Sequence, residues 1–158
     1  MFFIYVCIVM AKQHTETIDS KLKTAWQVVS RMYNAEASLH DLTIAMGHFL
    51  LNIDSHEGSY GSDIAPLLGM ESTSLSRITQ SLENKKIIVR VPDKTDGRKI
   101  KIMLTPKGKS AKELAKNVVR NFNHMIEIKL GKEKIEDFYR TMDEITALAE
   151  ERNKLIKQ

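Results

Sequence analysis

The segment from Ser72 to Lys85 concentrates short hydrogen-bonding side chains: Ser72, Thr73, Ser74, Ser76 and Gln80 stand around one guanidinium, Arg77. Hydroxyls, a carboxamide and an arginine are groups that exchange hydrogen bonds with base edges and phosphate oxygens. A merely solvated helix face is usually rich in Lys and Glu, so this composition suits a face pressed into a groove. Further along, Lys94, Asp96, Arg98 and Lys99 gather around the turn Pro92-Asp93-Lys94-Thr95-Asp96-Gly97. A long cation held at such a turn can reach a narrow groove of negative potential. Lys99 and Lys101 suit general phosphate neutralisation. No Ser-His-Asp order, Walker-type loop or glycine-rich dinucleotide turn is present, so catalysis is not indicated. Histidines 14, 40, 48, 56 and 124 lack the spacing of zinc helices or fingers, and neither a metal nor a cofactor is expected.

The charge is distributed to match. The chain carries a net +4, and residues 58–110 hold ten Lys and Arg against five Asp and Glu. The remainder holds 14 basic and 15 acidic residues, so the whole positive excess lies in the middle third. Phosphate recognition requires such a local footprint. Hydrophobic content of 42% and charged content of 28% exclude a disordered chain or a disulfide scaffold. The single cysteine, Cys7, permits no intramolecular disulfide and makes a reducing cytoplasm the default. Residues 1–11 are almost wholly apolar but shorter than the roughly 20 residues that span a bilayer. They also lack the basic start of a signal peptide. They read either as a buried strand or helix against a partner chain or as an extension ahead of a start at Met10, the second being favoured. No membrane partner is expected.

The elements that must position these groups follow from periodicity. Ile18, Leu22, Ala25, Val28 or Val29, and Met32 recur at helical spacing between Thr15 and Ser38. Leu42 to Ile53 is apolar on most sides and predicts a buried second helix, restarted at His40 or Asp41. Ser59 is expected to cap a short helix from Tyr60 to Leu68, distorted by Pro66 and ended by Gly69. The helix from Ser72 to Lys85 buries Leu75, Ile78 and Leu82. Ile87–Val91 and Arg98–Leu104 then predict a β-hairpin. Thr105-Pro106 starts a helix to Leu130, with Leu114, Val118, Phe122, Met125 and Ile128 on one face. After Gly131 a last helix carries Ile135, Phe138, Met142, Ile145 and Leu148 inward. The fold class is mainly α: a winged helix-turn-helix of about six helices plus a hairpin wing. Residues 58–105 form the winged unit, and residues 12–57 and 106–158 a helical region beside it.

The winged segment contains the runs Asp63-Ile-Ala-Pro-Leu-Leu-Gly-Met-Glu-Ser-Thr-Ser-Leu-Ser-Arg77, Leu82-Glu-Asn-Lys-Lys-Ile-Ile-Val-Arg90, Asp96-Gly-Arg98 and Leu104-Thr-Pro-Lys-Gly108. In these runs it resembles the multiple-antibiotic-resistance regulator (MarR) family. The resemblance implies a homodimer with interlocked N- and C-terminal helices. It further implies that the dimer binds a pseudo-palindromic operator in double-stranded DNA, with half-sites about one helical turn apart. Many members release DNA when a small, often phenolic, ligand or an oxidant acts near the junction, so a small-molecule effector is a further implied partner. Ser72, Thr73, Ser74, Ser76, Arg77 and Gln80 fall on recognition-helix positions, Arg98 on the wing-tip arginine, and Asp96 on the acid that orients it. Two positions depart from the pattern. Gly97 stands where a second wing cation is usual, and Lys86 where a glycine usually precedes the first wing strand. The expected function is a DNA-binding transcriptional regulator, ligand- or signal-responsive and acting as a repressor. The alternatives are a winged-helix protein-interaction module without DNA binding and a membrane-associated adaptor anchored through residues 1–10. Trp26, Met46, Phe49 and Phe122 are candidates for an effector pocket, with plain core packing the favoured role.

Overall fold

The computed structural model describes residues 17–157 apart from Lys94, Thr95 and Arg98. The readings made on residues 1–11, on Lys94 and on Arg98 therefore lie outside the described residues. Thr17 starts α1 (Ile18–Ser38), its hydroxyl accepting from the Ser20 N–H at 3.4 Å. The Leu42 N–H reaches back to the Ala37 carbonyl, with Asp41 between them in left-handed backbone at φ 56°. Asp41 thus closes α1 rather than opening the next helix. Thr43 opens α2 (Ile44–Leu51) by accepting from the Met46 N–H.

Asp54 organises the connection that follows. Its carboxylate accepts the N–H groups of His56 and Glu57 at 2.8 and 2.7 Å, and these bonds hold its carboxyl below the usual carboxylate range. Ser59, expected as a helix cap, instead braces this turn by accepting from the Asp54 N–H at 2.9 Å. It then enters a short strand that periodicity alone did not reveal, β1 (Ser59–Tyr60). The cap position of α3 (Gly61–Leu67) falls to Tyr60, which makes no side-chain cap bond. Pro66 lies inside α3, and Gly69 at φ 58° closes it, as the sequence predicts. The closing bonds run from Gly69 N–H to Pro66 O and from Met70 N–H to Ala65 O, a Schellman pair.

α4 (Ser72–Asn84) ends in the same device, with Lys86 N–H bonded to Glu83 O at 2.8 Å and Ile87 N–H to Leu82 O at 2.9 Å. Here the left-handed position is Lys86, at φ 58°. A side chain costs about 1 kcal/mol in that conformation. Lys86→Gly is therefore expected to raise stability by about 1 kcal/mol. A urea midpoint that stays put or falls in that variant would show the turn to be unstrained.

β2 (Ile88–Pro92) and β3 (Ile100–Leu104) pair antiparallel, with Arg90 opposite Ile102. β1 adds to the far side of β3, giving the order β1-β3-β2. The wing is thus one side of a three-stranded sheet rather than a free hairpin. Thr105 caps α5 (Pro106–Leu130), accepting from the Gly108 N–H at 3.0 Å with Pro106 in the first turn. Gly131 then separates α5 from α6 (Lys132–Ile156).

The core is where α2, α3, α4 and the sheet meet. Phe49, Leu50, Ile53, Ile64, Leu82 and Ile88 are fully enclosed there. α2 packs on α5, which ties the winged unit to the long helices. The buried Lys112 of α5 reinforces this junction by donating from Nζ to the Ile53 carbonyl, and burial pushes its ammonium pKa down. The apolar stripes expected to face inward on the remaining helices do not all find cover. Met125, Ile128, Phe138 and Leu148 are mostly exposed in the single chain, and α6 contains no buried residue. No helix among the described residues is long and apolar enough to cross a membrane.

Candidate nucleic-acid interface

α4 divides cleanly between two faces. Leu82 and Thr79 are buried, while Leu75 and Ile78 are half-buried against the core. Thr79 is polar yet inward because its hydroxyl is satisfied within the helix, 3.0 Å from both Leu75 O and Ser76 O. Sequence reasoning did not assign it. Ser72, Thr73, Ser76, Arg77 and Gln80 occupy the opposite arc, with Ser74 at its edge, and all six are exposed. The Ser76 hydroxyl donates to the Ser72 carbonyl at 2.9 Å and keeps its lone pairs as acceptors.

A network at the far end of α4 joins the helix to the wing. Arg90 on β2 donates from Nε and Nη2 to Glu83 Oε2 at 2.9 and 2.5 Å, and from Nη2 to Gln80 Oε1 at 2.9 Å. These bonds hold the Glu83 carboxyl below the usual carboxylate range. Gln80 Nε2 in turn donates to Asn84 Oδ1 at 3.1 Å. Sequence reasoning gave Arg90 no role of its own and placed it only at the end of one run that carries the family resemblance. Its partners lie across a change of element, where no helical spacing signals a pair.

The wing turn has its own lock. The Tyr60 hydroxyl donates to the Asp93 carboxylate, which raises the Tyr60 pKa. Asp93 also accepts the Asp96 N–H at 3.0 Å, and the Asp93 N–H bonds Lys99 O at 2.9 Å. Lys99 and Lys101 set their ammonium groups 5.9 and 5.6 Å from the centre of the Tyr60 ring. The structure thus brings Lys99 and Asp96 together at the wing turn, on Tyr60 and Asp93, while the serines and Arg77 stand on α4. Nothing in the sequence pattern marked Tyr60 as the residue that ties β1 to the wing turn.

Behind the winged unit, α1, α2 and α5 border a partly open, apolar cleft. Tyr33, His48, Leu51, Leu114 and Val118 line it, with Glu36 and His40 as polar members. Burial pushes the His48 pKa down. None of Trp26, Met46, Phe49 and Phe122 is among its lining residues. Met46 and Phe49 are core, Trp26 stacks on His48, and Phe122 meets Tyr33 edge to face. No group of three or more His, Cys, Asp or Glu among the described residues is arranged to hold a metal ion.

Residues 40–99, which span α2 to the wing turn, match the family model described as MarR family. Over these residues the chain is similar to the MarR family. Three solved structures show how far the likeness extends. The Staphylococcus aureus MepR–DNA complex superposes with a TM-score of 0.75 at 21% identity, over 84% of this chain and 96% of that one. The transcriptional repressor CouR, bound to a 23-mer DNA duplex, gives 0.75 at 24% identity, over 85% and 96%. The transcriptional regulator SlyA gives 0.77 at 18% identity, over 89% and 99%. The fold similarity therefore takes in the long helices outside the matched segment. No curated protein matches the chain.

Proposed function

We propose that this chain is a double-stranded DNA-binding transcriptional regulator that acts as a homodimer on a pseudo-palindromic operator. The exposed arc of α4, made of hydroxyls, one carboxamide and Arg77 and held on a core shared with the wing, carries this reading. It has the shape and hydrogen-bonding chemistry that a major groove accepts. The MarR-family match and the DNA complexes of MepR and CouR support it. Ser72, Thr73, Ser74, Ser76, Arg77 and Gln80 are assigned to the major groove, and Lys94, Asp96, Arg98 and Lys99 to the wing contact. The uncovered stripes of α5 and α6 support a second copy as partner. Repression relieved by a small apolar ligand in the α1–α2–α5 cleft completes the proposal, with the cytoplasm as its place of action.

Selection from a randomised duplex library tests it. The chain is expected to enrich two inverted half-sites about one helical turn apart. Binding should weaken steeply with salt, and Arg98→Ala should reduce the log–log salt slope by about one while leaving base preference intact. A slope unchanged by Arg98→Ala would count against the wing assignment. Gly97 favours a second reading, because it replaces the second cation usual in the family wing. On that reading the chain is a protein-interaction module, and no duplex is enriched at any salt concentration.

A further inference from the structure

Gln80 is the residue on the exposed arc of α4 whose carboxamide is engaged at both ends. Its Oε1 accepts from Arg90 and its Nε2 donates to Asn84. Arginine has donors only, so turning the amide over would bring two donors face to face. Arg90 is itself fixed by two bonds to Glu83. The network therefore sets both the position and the sense of the Gln80 amide before any ligand arrives. Neither end is exhausted, because a carboxamide oxygen has a second lone pair and the nitrogen a second N–H. That remaining acceptor–donor pair matches the N6–H and N7 of adenine in a major groove. A side chain already ordered also loses less freedom on binding.

We infer that Gln80 reads an adenine and that Arg90 is its positioning residue, acting through the carboxamide rather than on a phosphate. The inference rests on the DNA-binding reading above. It is tested by comparing base preferences of the parent, Gln80→Ala, Arg90→Lys, Arg90→Met and the Gln80→Ala/Arg90→Met double variant on one duplex library. Arg90→Lys keeps the charge at an exposed site but loses the fork that holds Glu83 and Gln80 together. Gln80→Ala is expected to reduce discrimination about tenfold at an A·T pair. Both Arg90 variants should flatten preference at that same pair, and the double variant should go no further than Gln80→Ala alone. Arg90 variants that keep the parent's preference overturn the inference, and so does a Gln80→Ala profile unchanged at every A·T pair. If Arg90→Met weakens all sequences equally and lowers the salt slope, the arginine is a phosphate contact and the inference again fails. A parent that enriches no duplex removes the DNA-binding reading itself, an outcome distinct from all of these.

Discussion

Gly108→Ala is expected to destabilise the fold by about 3 kcal/mol or more, although the substitution lies in the first turn of a long helix. Inside an ordinary exposed helix the same change gains about 1 kcal/mol. The sign reverses here because a β-carbon on Gly108 would stand 2.0 Å from the backbone carbonyl oxygen of Ile87. That carbonyl has little freedom to retreat. It accepts the Thr105 N–H at 3.1 Å and lies 3.0 Å from the Thr105 hydroxyl. The same hydroxyl accepts the Gly108 N–H. Relief of the clash would have to lift α5 from the start of β2, and α5 carries the buried Lys112 bond to Ile53. Urea titration followed by circular dichroism gives the measurement, with the midpoint dropping sharply. A midpoint equal to or above the parent's would mean that the first turn of α5 slides without cost.

This close approach explains part of what was legible in the sequence and part of what was not. Leu104-Thr-Pro-Lys-Gly108 was readable as a helix start because capping is local: Thr105 and Pro106 act on backbone groups within one turn. The reason for Gly108 was hidden, because its neighbour, Ile87, belongs to another element. The exposed arc of α4 was legible for a similar reason, since helical periodicity sorts residues into faces without knowledge of the partner. Lys86 was legible as a departure, and its positive φ agrees with the glycine usual at that position. The Arg90–Glu83–Gln80 network, the Tyr60–Asp93 bond and strand β1 are all products of tertiary juxtaposition. Two residues of β1 are too few to show an alternation, and Ser59 looked like a cap until its hydroxyl was seen to accept from Asp54. The core role favoured for Met46 and Phe49 is the one they have, but the residues that line the cleft were not singled out. Periodicity identifies apolar residues, but it does not say which of them the core consumes and which border a void.

Phe138→Glu combined with Leu148→Glu is expected to convert a dimer into monomers and to lower operator affinity by about 100-fold or more. α6 is a 25-residue helix without one buried residue in the single chain. Helices in water draw most of their stability from packing an apolar face. Phe138 and Leu148 are 56% and 66% exposed, on the stripe that should supply such a face. The α5 stripe ends in the same condition, with Ile128 73% exposed. In the proposed homodimer a second copy would cover both at once, and two identical winged units would then bind two half-sites with a high effective concentration of the second. Such a seam would have to bury four added carboxylates, two from each copy, a costly arrangement. Sedimentation velocity should place the parent at twice 18.0 kDa and the double variant at that mass. The α4 arc is untouched by these substitutions, so each monomer should keep its base preferences while losing affinity. Variants that remain dimeric with parental affinity would show that the stripe is not the seam. A parent that sediments as a monomer would show that the two half-sites are not bridged by this chain alone.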